Sequence, residues 1–538
     1  MGAKEFMSIV LKQLNIGKVD GKHEYLTPKS ARDQLFFDAY LIPQSVETSR
    51  FSNSDVFFIE GFRGTGKTSL LRWFAEDRRN TGAYTDFLLF KSDLTEQQRL
   101  QISQEVGISW VDIDASKMEV SQDFKTAWKW FIHHKIGETI KKNPAIAIGS
   151  KLESYLKLLG LNDPSTFAKI TGFLPRLEGA NVTIKADLSF FEVELGGDFK
   201  PQGTTGKTTL DALCRRLDAN FIEIAFLKPV YLFFDELEVF FHSLEQYHRD
   251  QRMVRDLVFA VAAINELSRQ ADSSVHILAA VRSEVIDGMG ALGEEVDRLI
   301  HDKGFNLAWY MARRSLHHPL IEIIRRKISA SKKALGVEQT EDDIVDLFPK
   351  NINGQLVEAF LLDRSFYKPR DLVWRLTIAQ KHFPNETKFS IEVLNQTDIE
   401  YSTKMWDEIR YELSASYSKA DIDLVELVIA GSSTYFELTE FEQRIETIAD
   451  DSPAAQKLLG RRSPREILSD LYRLGAIGNS FRAGTTGDTV RNRWAFRGDP
   501  NLLPEKRMTI HPALHKRLSA IAPRRRGTRG GDRHRQYD

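Results

Sequence analysis

Residues 61–68 constrain the fold of this chain more than any other segment. They read GFRGTGKT, follow an apolar run at 56–59 and precede a segment of helical character at 69–74. The three glycines let the backbone curl so that successive N–H groups point at phosphate oxygens. Lys67 is placed to reach the β- and γ-phosphates, and the Thr68 hydroxyl is placed to complete a Mg²⁺ shell. In this strand–loop–helix setting the pattern predicts a phosphate-binding loop rather than a glycine-rich turn before an ordinary helix. The residues predicted to contact the nucleotide are Gly61, Phe62, Arg63, Gly64, Thr65, Gly66, Lys67, Thr68 and Ser69.

Composition predicts a soluble protein of several domains. A chain of 538 residues has room for roughly three or four domains, and 42% apolar with 28% charged residues is typical of globular proteins. The net charge of −1 means that any binding to nucleic acid or acidic membranes must come from local patches. With one cysteine, no apolar run of about 20 residues and no signal-peptide core, we expect a cytoplasmic protein without a membrane partner.

The order of apolar runs predicts an α/β fold with a parallel sheet covered on both faces. Strands are expected at about 55–60, 85–90, 230–236 and 275–284, with helices between them. Residues 96–225 interrupt this order with mainly helical segments and an alternating stretch at 182–195 that predicts a β-hairpin. The predicted domains are an N-terminal segment and first half of the core at 1–95, an insertion at 96–225, the second half of the core at 226–315, a helical lid at 316–390, a helical and winged-helix region at 391–520, and a basic disordered tail at 521–538.

A second motif supplies carboxylates for the same chemistry. The apolar run VYLFF ends in Asp235 and Glu236. Asp235, at the tip of a buried strand, can hold Mg²⁺ through water beside Thr68. Glu236 is placed to orient and deprotonate an attacking water. The pair therefore predicts hydrolysis as well as binding.

Two arginines are candidates for sensing the γ-phosphate. Arg282 follows the apolar run at 275–281, and ligands lie at the carboxyl ends of strands in open parallel sheets. If this strand lies between the other two, Arg282 faces the γ-phosphate and stabilises the charge that develops during transfer; otherwise it is a solvated charge. Arg370 opens a helix after a proline. It reaches over the nucleotide from the lid, or it belongs to a capped surface helix.

The segments GFRGTGKT, FFDE, VRSE and KPRDL, in this order, resemble the AAA+/STAND branch of P-loop ATPases. In particular they are similar to a bacterial family with the same core, a helical lid and a C-terminal winged helix. The resemblance covers roughly residues 25–95 and 225–520. It implies that these segments correspond to Walker A, Walker B, sensor 1 and sensor 2, that the nucleotide is ATP with Mg²⁺, and that hydrolysis drives conformational switching. It also implies frequent homo-oligomerisation, a partner effector and an association with antiviral defence.

The chain departs from this family in two respects. The separation between Lys67 and Asp235 is much longer than compact members need, so the insertion at 96–225 is a candidate for partner or substrate specificity. An arginine finger is not evident, and Arg298, Arg313 and Arg314 are candidates by position alone.

The segment GTTGKTT at 203–209 imitates a second phosphate loop. Pro201 stands where the first glycine belongs, and no apolar strand leads directly into the segment. We interpret it as a turn before the helix that holds Cys214.

The C-terminal region predicts a winged helix, with a helix at 461–479, a strand pair and a last helix at 508–518. His511 is interpreted as a cap of that last helix. The module either contacts nucleic acid, together with the basic tail, or serves protein contact and intramolecular docking. Its basic residues are Arg461, Arg462, Arg465, Arg473, Arg491, Arg493 and Arg497.

The function expected from the sequence is a Mg²⁺-dependent ATP-hydrolysing switch or motor that gates a partner protein. A nucleic-acid-binding regulator gated by ATP, acting through the winged helix, is the alternative. A scaffold that oligomerises on ATP to present the insertion remains a third interpretation.

Overall fold

The computed structural model describes residues 9–21, 36–43, 45–90, 124–161, 207–237, 244–283, 285–286, 294–310, 318–337, 343–483, 489–499 and 501–522. The chain divides into two compact units. The sheet unit runs from Asp20 to Ala308, and the helical unit comprises Met1–Val19 and Trp309–Asp538. The predicted hairpin at 182–195 and the basic tail from 523 onward lie outside the described residues.

The sheet unit is built on a five-stranded parallel sheet in the order β2-β5-β6-β1-β7. The strand that ends in Arg282 lies between the strand before the glycine-rich loop and the strand that carries Asp235, which is the arrangement on which the expectation for Arg282 depended. A separate two-stranded antiparallel ribbon is formed by β3 and β4. The strands of this unit are β1 Phe58–Gly61, β2 Tyr84–Leu89, β3 Ala147–Ile148, β4 Ala225–Phe226, β5 Val230–Leu237, β6 Val275–Arg282 and β7 Gly304–Asn306.

The central strands are apolar along their length because both faces of the sheet are covered. In β5 seven of eight residues are buried, and in β6 six of eight. Such strands read as continuous apolar runs rather than as alternating patterns. The helices of this unit are α1 Thr48–Ser52, α2 Lys67–Asn80, α3 Phe124–Lys142, α4 Leu152–Leu158, α5 Lys207–Ile222, α6 Leu244–Gln270 and α7 Glu294–Lys303.

The described helices of the predicted insertion share one hydrophobic core with the sheet. Trp128 of α3 donates its indole N–H to the Met253 carbonyl of α6 at 3.0 Å. A buried network also links α3 to α4 and α5: the His133 ring contacts the Asp218 carboxylate at 2.9 Å and the Tyr155 hydroxyl at 3.0 Å. Burial lowers the pKa of His133. These contacts tie the inserted helices to one another and to the sheet.

The helical unit holds the C-terminal part of the chain, and residues 9–19 pack with it. The Leu11 N–H donates to the Glu386 carbonyl at 2.7 Å, and the Gln380 side chain donates to the Leu11 carbonyl at 2.6 Å. The helices of this unit are α8 Pro319–Ala334, α9 Asp343–Leu347, α10 Val357–Asp363, α11 Pro369–His382, α12 Ile391–Gln396, α13 Asp398–Leu413, α14 Lys419–Ile429, α15 Leu438–Asp451, α16 Pro453–Leu459 and α17 Pro464–Arg473. Its strands are β8 Asn351–Ile352, β9 Gln355–Leu356, β10 Tyr435–Phe436, β11 Ile477–Ala483, β12 Thr489–Arg493 and β13 Met508–Ile510.

The C-terminal sheet has the order β10-β13-β11-β12, with antiparallel neighbours. Two sequence predictions are wrong here. The helix expected at 461–479 ends at Arg473, because Gly475 has a φ of +80° and β11 follows. The segment expected as a helix from 508 begins as β13 and continues only as a 3₁₀ turn at Pro512–Leu514. Pro512 disfavours helical backbone at the residue before it, His511. Thr509 and Ile510 are β-branched, which favours a strand at these positions.

His511 is a cap, but it caps this 3₁₀ turn and not the longer helix that was expected. Its ring accepts a hydrogen bond from the Ala513 N–H at 3.2 Å. The ring is almost fully buried among aromatic side chains, and burial lowers its pKa.

Among the described residues, no helix combines the length and the apolar content that crossing a bilayer requires.

Candidate functional site

The glycine-rich loop joins β1 to α2 at the carboxyl edge of the sheet. Gly66 has a φ of +97° directly before Lys67, the first residue of α2. Glycine adopts this left-handed conformation without a steric penalty, whereas other residues rarely do. Gly61 meets a different limit, since a Cβ there would lie 2.8 Å from the Thr65 hydroxyl and 3.2 Å from the Leu307 carbonyl oxygen. The loop therefore requires glycine for its conformation at one end and for close packing at the other.

Lys67 folds back over the loop that precedes it. Its side chain is 8% exposed, and its ammonium donates to the carbonyls of Gly61 at 2.5 Å and Phe62 at 2.9 Å. The Thr65 hydroxyl donates to the same Phe62 carbonyl at 2.9 Å. A buried ammonium is costly unless polar groups surround it. The loop thus holds a positive charge at the N-terminus of a helix, where anions are favoured.

Asp235 and Glu236 lie at a distortion near the end of β5. The pairing with β6 shifts register between Phe234 and Leu237, and Glu236 has a φ of +57°. The Glu236 N–H donates to the Asp235 carboxylate at 2.8 Å. Bulges re-aim side chains and are frequent beside active sites, and a non-glycine residue in the left-handed region is a strained position. The carboxylate pair therefore occupies backbone that departs from the regular strand at this edge.

The Asp235 carboxylate is enclosed by polar groups of the glycine-rich loop. It is 3% exposed, and burial raises its pKa. The Thr68 hydroxyl, the Glu236 N–H and the charge of Lys67 act in the opposite direction. Asp235 Oδ2 is buried and has no hydrogen-bond partner among the residues that the structure describes. An orphaned carboxylate oxygen next to a threonine hydroxyl fits a Mg²⁺ ion, which binds through one or two carboxylates together with waters and phosphates.

Arg282 lies where the sequence predicted it, at the carboxyl end of β6. It is the register partner of Gly61, the first residue of the loop. Lys67, Thr68, Asp235, Glu236 and Arg282 are thus brought to one edge of the sheet. Of the candidate finger residues, Arg298 is exposed on α7, whereas 313 and 314 lie outside the described residues.

Arg370 lies in the helical unit, on α11 as the sequence predicted. Pro369 is the first residue of that helix. The Arg370 guanidinium pairs with Glu408 at 3.2 Å and donates to the Val19 carbonyl at 3.1 Å. In its own unit the side chain is therefore held by a carboxylate of α13 and by the N-terminal segment.

The residues around Arg370 form a buried charged cluster. Lys368 pairs with Glu412 at 3.0 Å. The Asp371 carboxylate accepts the Phe366 N–H at 2.7 Å, and burial raises the pKa of Asp371 to about 7 against the opposing charge of Lys368. The segment 368–371 thus joins the start of α11 to α13 through charged pairs.

Most arginines of the predicted nucleic-acid surface are paired with carboxylates inside the helical unit. Arg461 contacts Asp421 at 2.8 Å, and Arg462 contacts Asp470 at 2.9 Å. A guanidinium paired with an internal carboxylate contributes less charge toward a phosphate backbone. Further pairs are Arg465 with Glu505, Arg473 with Asp470, Arg493 with Asp499 and Arg497 with Asp363.

The segment that imitates a phosphate loop leads into a helix. Lys207 is the first residue of α5, the helix that holds Cys214. Burial raises the pKa of the Cys214 thiol to about 12, so this cysteine is a buried apolar side chain. Residues 203–206 lie outside the described residues.

Sequence reasoning missed Glu60. Its carboxylate accepts the Ser283 hydroxyl at 2.9 Å and the Asn306 side-chain amide at 3.3 Å. Its position directly before the glycine-rich loop was the available signal, but its partners are more than 200 positions away along the chain.

Comparison with known proteins gives one partial match. Residues 318–410 match the family model described as the FunZ-associated C-terminal helical domain. This segment begins directly before α8 and includes Lys368, Arg370 and Asp371 of the charged cluster. No curated protein matches the chain. The chain is therefore similar to that helical domain over part of its helical unit, and its parallel sheet is compatible with a P-loop fold.

Proposed function

We propose that this chain is a Mg²⁺-dependent ATP hydrolase that uses the loop at 61–68 to bind the triphosphate and acts as a conformational switch. The observation that carries the proposal is the Asp235 carboxylate, buried beside the Thr68 hydroxyl with its Oδ2 lacking a described partner. A buried polar atom without a partner calls for an explanation, and a bound ion is one such explanation. Thr68 and Asp235 would hold a metal ion, which would give Asp235 Oδ2 a partner.

Each residue of the site has a role in this proposal. The loop amides and Lys67 bind the phosphates, and Mg²⁺ supplies neutralisation of their charge when bound. Glu236 accepts a proton from the attacking water, so its carboxylate must be ionised and within reach of that water. Arg282 binds the γ-phosphate from the neighbouring strand, and the positive end of α2 adds to the field at the phosphates.

The helical unit is proposed as the part that responds to the nucleotide. Arg370 remains the candidate sensor of this unit, and its pairing with Glu408 supports a model in which the arginine exchanges a carboxylate for a phosphate. ATP rather than GTP, a homo-oligomer and a partner effector follow from the AAA+/STAND resemblance. The C-terminal module, with its helix, strand pair and mainly antiparallel sheet, is proposed as a winged helix that docks on protein.

The alternative, nucleic-acid binding through the C-terminal module, receives less support. Binding to a phosphate backbone requires positive charge. The carboxylates of Asp421 and Asp470 neutralise part of the charge of Arg461 and Arg462. The aromatic contact of Phe496 with Tyr367 also favours docking of this module within its own unit.

A lysine pair provides a matched test of the proposed function. Lys67→Ala and Lys207→Ala remove the same group from two segments of similar sequence. We expect Mg²⁺-dependent phosphate release from ATP by the wild-type chain, its loss in Lys67→Ala, and unchanged release by Lys207→Ala. Equal loss in both variants would contradict the assignment of the site to 61–68, and absence of release from the wild type would contradict the proposed activity.

A further inference from the structure

Glu60 joins three strands at the edge where the proposed nucleotide site lies. It belongs to β1, which pairs with β6 on one side and β7 on the other. Its register partners are Val281 and Asn306. Residues in register on neighbouring strands present their side chains on the same face of a sheet. The Glu60 carboxylate contacts Asn306 of β7 and Ser283, the residue that directly follows β6.

One oxygen of this carboxylate accepts two hydrogen bonds. Glu60 Oε1 lies 2.9 Å from the Ser283 hydroxyl and 3.3 Å from the Asn306 side-chain nitrogen. Ser283 is 5% exposed and directly follows Arg282. Because Ser283 directly follows Arg282, its hydrogen bond to Glu60 also restrains the backbone of Arg282.

The second partner, Asn306, precedes the point at which the chain leaves the sheet unit. Leu307 donates its N–H to the Glu60 carbonyl at 2.8 Å, and its own carbonyl oxygen lies 3.2 Å from the position that a Cβ on Gly61 would take. The sheet unit ends at Ala308. The Glu60 side chain therefore contacts Asn306, and its backbone carbonyl contacts Leu307. We term residues 306–308 the exit segment.

We propose that Glu60 is a positioning residue that couples the γ-phosphate contact of Arg282 to the exit segment. The inference rests on the proposed function, because it assumes that Arg282 distinguishes ATP from ADP. A change at the end of β6 moves Ser283, alters the hydrogen bonds that Glu60 Oε1 shares with Asn306, and so changes how tightly the exit segment is held. A ligand shifts such an equilibrium only by its differential affinity for the two states, and couplings of this kind amount to about 5- to 150-fold.

The test compares ATP and ADP states of the full chain by hydrogen exchange of peptides that cover 303–310. In a Glu236→Gln background, which keeps ATP bound, we expect slower exchange in this segment with ATP than with ADP as long as Glu60 is intact. We expect Glu60→Ala to abolish this difference and to reduce the preference for ATP over ADP at least fivefold, while ADP affinity changes less than twofold. Glu60→Gln retains an acceptor oxygen and should restore part of the difference.

Four outcomes separate coupling from a simpler role of Glu60 and from failure of the proposed function. If the wild-type segment exchanges equally in both nucleotide states, or if Glu60→Ala lowers the melting temperature while the ATP–ADP difference persists, the coupling role is overturned and the ATPase proposal is untouched. If Lys67→Ala and the wild type bind nucleotide equally, the proposed function fails first. Asn306→Ala should reproduce the loss of exchange difference, whereas a result like the wild type would overturn the bridge through that side chain.

Discussion

Arg282 and Gly61 are register partners in the parallel pairing of β6 with β1. The candidate γ-phosphate sensor therefore stands one strand away from the first residue of the glycine-rich loop. Asp235 lies on the other side of β6, in the strand that pairs with it. Because neighbouring strands are about 4.8 Å apart, these three positions share an edge small enough for one triphosphate.

Asp235→Asn should separate metal binding from stability. The variant keeps the shape of the side chain and removes its charge, so we expect the Mg²⁺ concentration for half-maximal hydrolysis to rise about 10- to 100-fold. Burial raises the pKa of Asp235, which means that the fold disfavours the ionised carboxylate. Without nucleotide at neutral pH, the variant should therefore melt at the same temperature or higher, as measured by differential scanning fluorimetry. A lower melting temperature together with an unchanged Mg²⁺ requirement would contradict this account.

Asp371 should make the helical unit less stable as the pH rises toward neutrality. Burial raises its folded-state pKa to about 7, whereas the unfolded value is lower, so the folded state retains a proton that the unfolded state has lost. Between roughly pH 4 and 7 this group should reduce the free energy of unfolding by about 1.4 kcal/mol per pH unit. The groups that act on it are Lys368, Glu408 and Arg370.

Asp371→Asn is the variant that tests this dependence. Asparagine can still accept the Phe366 N–H, so the variant should lose the pH slope and be more stable than the wild type at pH 8. Chemical unfolding at several pH values, followed by the fluorescence of the tryptophans, measures the difference. Parallel slopes for the two proteins would exclude titration of Asp371 in this range.

Several elements were predictable because their physical signal is local. The runs that form β5 and β6 are apolar on both faces, and the strands end within two residues of the predicted positions. The glycine-rich loop and the KPRD helix start carry their own turn and capping signals. By contrast, β7 has only three residues, GFN, which are too few to show an alternation of apolar and polar side chains. It forms because β1 offers an edge with which it can pair.

The missed parts of the site depend on contacts between distant positions. Nothing in the sequence near Glu60 indicates Ser283 or Asn306, which reach it only when three strands assemble. The partners of Arg461 and Arg462 could not be predicted from the sequence either. Their clustering suggested a basic surface, but in the fold they pair with Asp421 and Asp470. Local patterns predict elements, whereas charge pairing across elements requires the topology.

Charge reversal at Arg461 and Arg462 should affect stability more than nucleic-acid binding. Arg461→Glu would face Asp421, whose side chain is 5% exposed, and we expect a loss of about 1 kcal/mol. Affinity for double-stranded DNA at physiological salt should change less than twofold in the double variant. Arg491→Glu, at an exposed position on β12, is the matched control. A tenfold loss of DNA affinity in the double variant, with a reduced salt dependence, would favour the nucleic-acid alternative.

The central claim is that Glu236, next to the proposed metal ligand Asp235, acts as the base for ATP hydrolysis. Equilibrium binding and single-turnover hydrolysis of radiolabelled ATP by Glu236→Gln test it most directly. The account predicts that ATP binds with Mg²⁺ within about threefold of the wild-type affinity while the hydrolysis rate falls about 10²- to 10⁴-fold. Hydrolysis by Glu236→Gln at the wild-type rate would contradict it.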